Sequence, residues 1–183
     1  MTPLPAALGG EDPFVIWRLD ADAHATTWDS GEGGFRFGGR WNSKGVRAVY
    51  CSIDPATAIM EVAVHKGFEG LDTAPHMLTA ALVGDLAGVH VVTPGDVPNP
   101  NWLRPGNPSA GQQAFGDDLL RRSSFVVIPS VVSTHSWNVL FSPPMAIGRY
   151  SLRLQERFAL DTRFHRPTRL VRTELRSHKR HRN

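Results

Sequence analysis

Residues 47–67, RAVYCSIDPATAIMEVAVHKG, predict a short β-strand directly before a capped helix. RAVYCS (47–52) predicts the strand. Asp54 can cap the free N–H groups of a helix, and Pro55 suits its first position because proline has no N–H to leave unpaired. Gly67 is a typical stop. We therefore expect a helix from Pro55 to Lys66.

The rest of the chain predicts many strands and few helices. A second helix is expected over Ser109–Arg122. Long loops are expected at residues 20–34 and in the proline-rich segment 93–108, and the glycines make residues 35–41 irregular. Further strands are predicted at FVIWRL (14–19), MLTAALVG (77–84), VHVV (89–92), FVVIP (125–129), WNVLFS (137–142) and YSLRLQERFAL (150–160). This pattern indicates an α+β domain with a mixed or antiparallel sheet.

Length and composition fit one globular domain. The chain has 183 residues, of which 41% are hydrophobic and 20% charged. It contains no apolar run long enough to span a membrane, and its first residues lack the features of a secretory signal. The single cysteine, Cys51, excludes an internal disulfide and fits a reducing compartment. These features predict a cytoplasmic protein that does not contact the membrane.

The charge is divided unevenly along the chain. Residues 163–183 hold eight Lys and Arg against one acid, Glu174, which leaves twelve basic and sixteen acidic residues before them. We expect a flexible lead-in at 1–13, one domain at 14–162 and a basic tail at 163–183. Such a tail is usually a solvated end. Contact with nucleic acid or an acidic partner is the alternative.

Glu61 is the first candidate for chemistry, because it is the only charge in the apolar helix segment ATAIMEVAV (56–64). A carboxylate on a largely buried helix has to be paired or face a cavity. One interpretation is a structural salt bridge. The other is a carboxylate aimed into a cleft, beside Arg18 or Arg40. Arg18 lies within an apolar strand, where it faces either water or the same cleft.

The stretch FRFGGRWNSKG (35–45) holds the second candidate, Arg40, next to Gly38 and Gly39. Glycine lets a ligand approach the backbone closely, and an arginine fork can hold phosphate oxygens in pairs. The flanking aromatic rings could stack on a planar base. A plain glycine turn with a surface arginine is the alternative. The stretch is not a standard P-loop, since Lys44 is followed by glycine.

Other catalytic chemistries find little support. His65 lies one turn beyond Glu61, but the sequence has no HExxH or Cys/His cluster, so metal dependence is not expected. It has no G-x-S-x-G elbow, and Cys51 has no companion histidine motif. Acyl transfer is therefore disfavoured.

Taken together, these segments resemble the RES domain, the toxin half of a bacterial toxin–antitoxin pair. Their order and spacing cover about residues 14–145. The block G-G-R-W-N followed some twenty residues later by the glutamate is the most specific part. The matching segments are W-R (17–18), F-G-G-R-W-N-S-K-G (37–45), V-Y-C-S (49–52), A-I-M-E-V (58–62), G-Q-Q-A-F-G-D-D-L-L (111–120), V-I-P-S (127–130) and N-V-L-F-S-P (138–143).

The resemblance implies a fold similar to ADP-ribosyltransferases, with a split mixed sheet and few helices around an NAD cleft. It implies consumption of NAD⁺ as substrate by hydrolysis or phosphorolysis, with transfer of ADP-ribose to a protein acceptor as the alternative. It also implies an antitoxin partner with an Xre-like helix-turn-helix domain. The oligomeric state, including a homodimer, stays open.

The resemblance also suggests which residues carry the chemistry. Glu61 matches the glutamate needed for activity, Tyr50 the active-site tyrosine, and Arg18 one of two arginines that contact the dinucleotide. Ser109 is the preferred match for the functional serine. The expected catalytic set is therefore Glu61, Arg18, Tyr50 and Ser109.

The expected NAD-binding set overlaps with the catalytic one. Arg40 matches the second arginine, Gly39 allows close approach of the backbone, and Trp41 or Tyr50 could pack on the nicotinamide ring. Ser130 is the second choice for the serine. The set is Arg18, Gly39, Arg40, Trp41, Tyr50 and Ser130. A nucleic-acid-binding module driven by the tail is a remote alternative, since it leaves Glu61 and the glycine–arginine turn unexplained.

Overall fold

A computed structural model describes residues 4, 8, 13–104, 106 and 108–161 of the chain. Every strand predicted from the sequence is present, and the α+β class is confirmed. The strands are β1 (Val15–Ala21), β2 (Val49–Ser52), β3 (His76–Val83), β4 (Val89–Val91), β5 (Phe125–Pro129), β6 (Trp137–Phe141) and β7 (Tyr150–Phe158), and the helices are α1 (Glu32–Phe37), α2 (Pro55–Thr73), α3 (Ala110–Arg122) and α4 (Pro143–Ala146). Residues 163–183, which form the expected basic tail, lie outside the described residues.

The seven strands form one mixed sheet in the order β4-β5-β6-β2-β1-β3-β7. β4 and β5 are parallel, and the other neighbours are antiparallel. β1 and β2 are paired at one position, where Trp17 faces Ser52, whereas the other neighbours are paired over three to eight residues. The sheet is thus nearly divided between β2 and β1, and the expected split mixed sheet is confirmed.

The central strands β5 and β6 are covered on both faces. Phe125, Val127 and Val139 belong to one core cluster, whereas Val126 and Leu140 belong to another, on the opposite face. This alternation follows from the two-residue period of a strand. Burial of both faces explains why β5 is an unbroken apolar run and why β6 is apolar apart from Asn138.

Helix α1 was not expected, since the sequence predicted loop and irregular structure over these residues. An ion pair between Arg36 and Glu32, one turn apart, supports the helix (2.7 Å). Gly38, with φ 70°, ends it. Gly34 packs directly on Ala48, where a side chain would clash. Tertiary packing therefore outweighs the low helix propensity of its two glycines. A 3-10 helix over Asp22–Thr27 also lies in the segment predicted as a loop.

Helix α2 begins as predicted and extends further than predicted. The carboxylate of Asp54 accepts from the N–H of Thr57 (2.7 Å) and caps the first turn. Gly67 has φ 70° and ψ 162°, so it interrupts the helix where the stop was expected, but a second helical segment continues to Thr73. No helix in the described part of the chain is long and apolar enough to cross a membrane.

Helix α2 lies against the β1 half of the sheet. Its Ala63 and Leu71 form a small core with Leu19 of β1 and Leu78 of β3. The helix also contacts β2 and β6. Glu61 lies in the second turn of α2. The helix therefore brings it close to the junction between the two halves of the sheet.

Candidate active site

The carboxylate of Glu61 is held by two neutral side chains. Its Oε1 accepts hydrogen bonds from the hydroxyl of Ser130 (2.8 Å) and from the side-chain amide of Asn138 (2.6 Å). Ser130 is fully buried and Asn138 is 6% exposed. Both alternatives considered from the sequence placed an ionic partner beside Glu61. The structure instead pairs it with uncharged donors, and no ion pair to Glu61 occurs among the described residues.

The residues behind Glu61 are fixed by the sheet. Asn138 of β6 lies directly opposite Ser52 of β2, and the Ser52 hydroxyl donates to Oδ1 of Asn138 (2.9 Å). Ser130 follows β5, and its hydroxyl oxygen accepts from the N–H of Ser133 (2.9 Å). Each donor to Glu61 is therefore itself held by a second group.

The turn that carries Arg40 is built around the Tyr50 hydroxyl. This hydroxyl donates to Oδ1 of Asn42 (2.7 Å) and accepts from the N–H of Trp41 (3.1 Å). Gly39 lies against the same hydroxyl, where a Cβ would clash with it. The close approach that this glycine permits is therefore that of Tyr50.

Asn42 in turn holds the loop that follows. It is fully buried, and its side-chain amide donates to three backbone carbonyls, those of Gly34, Ser43 and Val46 (2.9–3.1 Å). Helix α3 closes the turn from the other side. There, Gln113 donates to the carbonyl of Gly39 (2.8 Å).

The guanidinium of Arg40 reaches the proline-rich segment. Its Nη1 donates to the carbonyl of Trp102 (3.0 Å) and, at longer range, to that of Arg104 (3.4 Å). Both bonds use Nη1, so the rest of the fork makes no hydrogen bond to the described residues. Arg40 is therefore held through Nη1 alone, and its Nε and Nη2 keep N–H donors for a ligand.

Tyr50 links this turn electrostatically to Glu61. Burial raises the pKa of the Tyr50 phenol well above its ordinary value, and the carboxylates of Asp117 and Glu61 act in the same direction. The N–H of Trp41 and the Arg40 guanidinium oppose the shift. The hydroxyl is consequently neutral at physiological pH, and it lies within electrostatic reach of both Glu61 and Arg40.

Arg18 lies where the two halves of the sheet separate. Its Nη1 donates to the carbonyl of Tyr50 (2.8 Å), and its Nη2 forms an ion pair with Asp20 (2.6 Å). Its Nε is buried without a hydrogen-bond partner. Arg18 thus joins β1 to β2 and keeps an unpaired Nε–H, and no hydrogen bond or ion pair joins it to Glu61 in the described part of the chain.

A comparison with protein families matches residues 15–161 to the RES domain. This range covers most of the chain and contains Glu61, Arg40, Tyr50 and Arg18. The chain belongs to the RES domain family. The resemblance inferred from the motifs is thereby confirmed.

Known proteins similar to this chain include two named toxins and one solved structure. The "Prs ADP-ribosylating toxin" of Sphingobium sp. strain YBL2 is 32% identical over 135 residues, which cover 70% of this chain and 81% of that protein. A "Toxin Res" of Pseudomonas putida strain KT2440 is 31% identical and covers 71% of this chain and 85% of that protein. The structure of the M. tuberculosis MbcT–MbcA toxin–antitoxin complex contains a similar fold, with a TM-score of 0.65 and 21% identity over 80% of this chain and 85% of that chain.

The side chains of two residues predicted for the site, Ser109 and Trp41, make other contacts in the structure. Ser109 caps helix α3 by accepting from the N–H of Gln112 (3.2 Å), and it does not contact Glu61, whereas Ser130 does. Trp41 is 1% exposed, and its ring packs near those of Trp102 and Phe115. Its ring therefore belongs to the core, and stacking of nicotinamide on Trp41 does not agree with this burial.

Two surface depressions also lie outside this group. One, of about 200 Å³, is at the start of α3 and includes Ser109 and Gln112. The other, of about 330 Å³, lies on the β1 half of the sheet beside Trp17 and Leu154. Neither is lined by Glu61, Tyr50 or Arg40.

The residues that hold the site together were not predicted from the sequence. Asn138, Ser52 and Asn42 were all within matched motifs, but none was assigned a role. Asn138 is the only polar residue in the buried strand WNVLF (137–141) apart from the tryptophan N–H. Glu61 was singled out because it is an isolated polar side chain in an apolar element. The same criterion, applied to β6, identifies Asn138.

Proposed function

We propose that this RES-domain protein is the toxin of a bacterial toxin–antitoxin pair and that it consumes NAD⁺ by cleaving the nicotinamide–ribose bond. The observation that carries the proposal is the Glu61 carboxylate, fixed by Ser130 and Asn138 through one oxygen. Membership of the RES domain family and relatives named as toxins support it.

Cleavage of the nicotinamide–ribose bond requires a carboxylate but no general acid. When the bond between ribose C1′ and the nicotinamide nitrogen breaks, the electron pair leaves with nicotinamide, whose ring becomes neutral. Positive charge develops on the ribose, and the acceptor oxygen then bonds to C1′ and loses its proton. A fixed carboxylate beside the ribose stabilises that charge in the transition state, as in glycoside hydrolysis. We assign this role to Glu61.

The arginines suit the anionic part of NAD⁺. Arg40 keeps donors that the protein does not use, and a planar guanidinium can bind two phosphate oxygens at once. Arg18 has a buried Nε without a partner. In this proposal both contact the pyrophosphate. Tyr50 and Gly39 shape the turn that presents Arg40.

Ser130 is the serine we assign to the site. Its hydroxyl must donate to Glu61, because a carboxylate only accepts and the serine oxygen already accepts from the N–H of Ser133. Ser109 has no comparable contact, since its hydroxyl caps a helix. The proposed catalytic group is therefore Glu61 with Ser130, and Tyr50 supports the binding turn.

Transfer of ADP-ribose to a protein is the second candidate. One specific finding favours it, namely the name of the Sphingobium relative, an ADP-ribosylating toxin. Both candidates share the cleavage step and differ in the acceptor, which is water or phosphate in the first and a protein side chain in the second.

A protein that destroys cytoplasmic NAD⁺ needs an inhibitor in its own cell. We therefore propose a cognate antitoxin, of the Xre-like helix-turn-helix type implied by the family resemblance. The similar fold of the toxin in the MbcT–MbcA complex supports such a partner, since that protein is held in a toxin–antitoxin complex.

The deciding experiment mixes purified, antitoxin-free protein with NAD⁺ labelled on its adenylate half, with and without phosphate and a cell extract. Label in ADP-ribose or its phosphorylated form supports NAD⁺ destruction, and label on a protein band supports transfer. Glu61→Gln is the matched control, because glutamine keeps an oxygen for Ser130 and Asn138. It should fold normally and release no nicotinamide. Wild-type protein that leaves NAD⁺ intact, or a fully active Glu61→Gln variant, contradicts the proposal.

A further inference from the structure

Both hydrogen bonds to the Glu61 carboxylate end on the same oxygen. Ser130 and Asn138 each donate to Oε1, and Oε2 receives no hydrogen bond from the described residues. Two donors on one oxygen fix the rotation of the Glu61 carboxylate about the Cγ–Cδ bond. The second oxygen is left unpaired for a ligand.

The orientation of the Asn138 amide follows from its two neighbours. The carboxylate oxygen, 2.6 Å away, can only accept, so the group of Asn138 that faces it has to be the NH₂. Oδ1 then points to Ser52, whose hydroxyl donates to it (2.9 Å). The reversed amide would place two oxygens against each other. The hydrogen bonds therefore form a chain with one direction, from Ser52 through Asn138 to the accepting carboxylate of Glu61.

The backbone fixes where this chain lies. Ser52 and Asn138 are a directly opposed pair on β2 and β6, so their side chains share one face of the sheet. Asn138 is also paired with Ile128 of β5. Ser52 is the residue at the single bridge between β2 and β1. Asn138 is thus held in the middle strand of three, whereas Glu61 approaches from a helix.

We propose that Asn138 is a positioning residue, oriented by Ser52, that aims Oε2 of Glu61 at the substrate. The inference rests on the proposed function, because it assigns Asn138 a role in the cleavage of NAD⁺. Asn138 acts through Glu61 and does not contact the reacting atoms. It lowers the energy of the transition state, in which charge develops on the ribose, and it affects NAD⁺ binding much less.

A positioning role predicts that changes at Asn138 lower kcat and leave the affinity for NAD⁺ nearly unchanged. Asn138→Ala should lower kcat by about 10- to 100-fold, the cost of a misplaced catalytic group. Binding of a carbocyclic NAD⁺ analogue, which cannot form the charged ribose, should stay within about threefold of wild type. Asn138→Asp has nearly the same shape but replaces the donor with an acceptor, so it should be at least as impaired as the alanine variant. A packing role would instead be satisfied by aspartate.

Ser52 provides the second test. Ser52→Ala should lower kcat by a smaller factor, about 3- to 10-fold, since the amide keeps its bond to Glu61 but loses the group that orients it. In the Asn138→Ala background the same change should have no further effect on kcat, because Ser52 acts through Asn138. Ser124→Ala is the matched control. Ser124 is also buried and donates to a backbone carbonyl, that of Ala87 (3.0 Å), but it precedes β5 at the end away from Ser130.

The experiment measures kcat and KM for NAD⁺, together with affinity for the analogue, on wild type and these variants. If wild type consumes NAD⁺ while Asn138→Ala or Asn138→Asp keeps wild-type kcat, the positioning role is overturned and the proposed function stands. The role is equally overturned if the loss lies in analogue affinity, or if Ser52→Ala lowers kcat further in the alanine background. Wild-type protein that leaves NAD⁺ intact overturns both proposals. Should Asn138→Ala fail to fold, Asn138→Asp and Ser52→Ala carry the test.

Discussion

The hydroxyl of Tyr50 lies 2.7 Å from Oδ1 of Asn42 and donates a hydrogen bond to it. Because the same hydroxyl accepts from the N–H of Trp41, strand β2 is tied to the two residues that directly follow Arg40. Burial keeps the phenol neutral by raising its pKa. The geometry makes Tyr50 an anchor for the arginine turn.

Tyr50→Phe removes both bonds and leaves a buried amide oxygen without a donor. We expect a loss of about 1–3 kcal/mol in the free energy of unfolding. We also expect a higher KM for NAD⁺, because Arg40 is less well placed, with a smaller change in kcat. Urea unfolding and steady-state kinetics measure the two effects.

Tyr150→Phe is the control for this prediction. Tyr150 is the other tyrosine of the chain, and its hydroxyl donates to Asp29 (2.7 Å). Its loss should lower stability without raising KM. A normal KM in the Tyr50→Phe variant would show that the turn does not depend on this hydroxyl.

Local patterns in the sequence predicted the strands and the start of α2, because these depend on residues close in the chain. Alternation and apolar runs mark each strand, and Asp54 with Pro55 marks the cap. Helix α1 was missed because Gly33 and Gly34 argue against a helix, and the contact of Gly34 with Ala48 that favours it cannot be seen locally.

The site was predicted in part for the same reason. Glu61 and Arg18 stood out as charges in apolar elements. The partners of Glu61 lie 69 and 77 residues further along the chain, and only the pairing of β2, β6 and β5 brings them together. Strand order is set by the whole fold, so the choice between Ser109 and Ser130 could not be made from sequence spacing.

Arg40→Lys should weaken NAD⁺ binding. Lysine carries the charge but not the planar fork, so it cannot hold the carbonyl of Trp102 and two phosphate oxygens together. Loss of one charge-assisted contact costs about 1.5–3 kcal/mol, which corresponds to about 10- to 150-fold in KM. Steady-state kinetics on NAD⁺ measure the change.

Arg36→Lys is the matched control for Arg40→Lys. Arg36 lies four residues earlier, is largely exposed, and forms an ion pair with Glu32. Its replacement should leave KM unchanged. Equal KM values for the two variants would remove Arg40 from the binding site.

Asp54→Ala should destabilise the protein by removing the cap of α2. The Asp54 carboxylate accepts from the N–H of Thr57 (2.7 Å) and from the hydroxyl of Ser136 (2.6 Å). Loss of a cap costs about 0.5–2 kcal/mol. Urea unfolding at pH 7 measures it. Asp118→Ala, which removes an exposed partner of Arg121 and Arg122, should change stability far less.

The same variant should alter the dependence of stability on acid. Burial raises the pKa of Asp54, but hydrogen bonds from Ser136 and Thr57 outweigh it, so the pKa is lowered from its ordinary 3.8. The stabilisation is therefore present above pH 3.8 and is lost as the pH falls through the lowered value. Wild type and Asp54→Ala should converge over that range, and a constant gap between them would contradict the assignment.

Alkaline pH should destabilise the fold through Cys51. The thiol lies in β2, is 2% exposed, and burial raises its pKa from 9.0 to about 12. A raised pKa means that the folded state keeps its proton longer than the unfolded state. The stabilisation is complete below pH 9.0 and is lost as the pH rises toward 12, at about 1.4 kcal/mol per pH unit for one group. Urea unfolding between pH 8 and pH 11 measures the slope.

Cys51→Ala removes this group, and because the chain has one cysteine, its slope should be shallower by that one contribution. The slope that remains should reflect the raised pKa values of Tyr50 and Tyr150. Parallel curves for wild type and Cys51→Ala would contradict the raised pKa, because they would show that the thiol ionises over the same pH range in the folded and unfolded states.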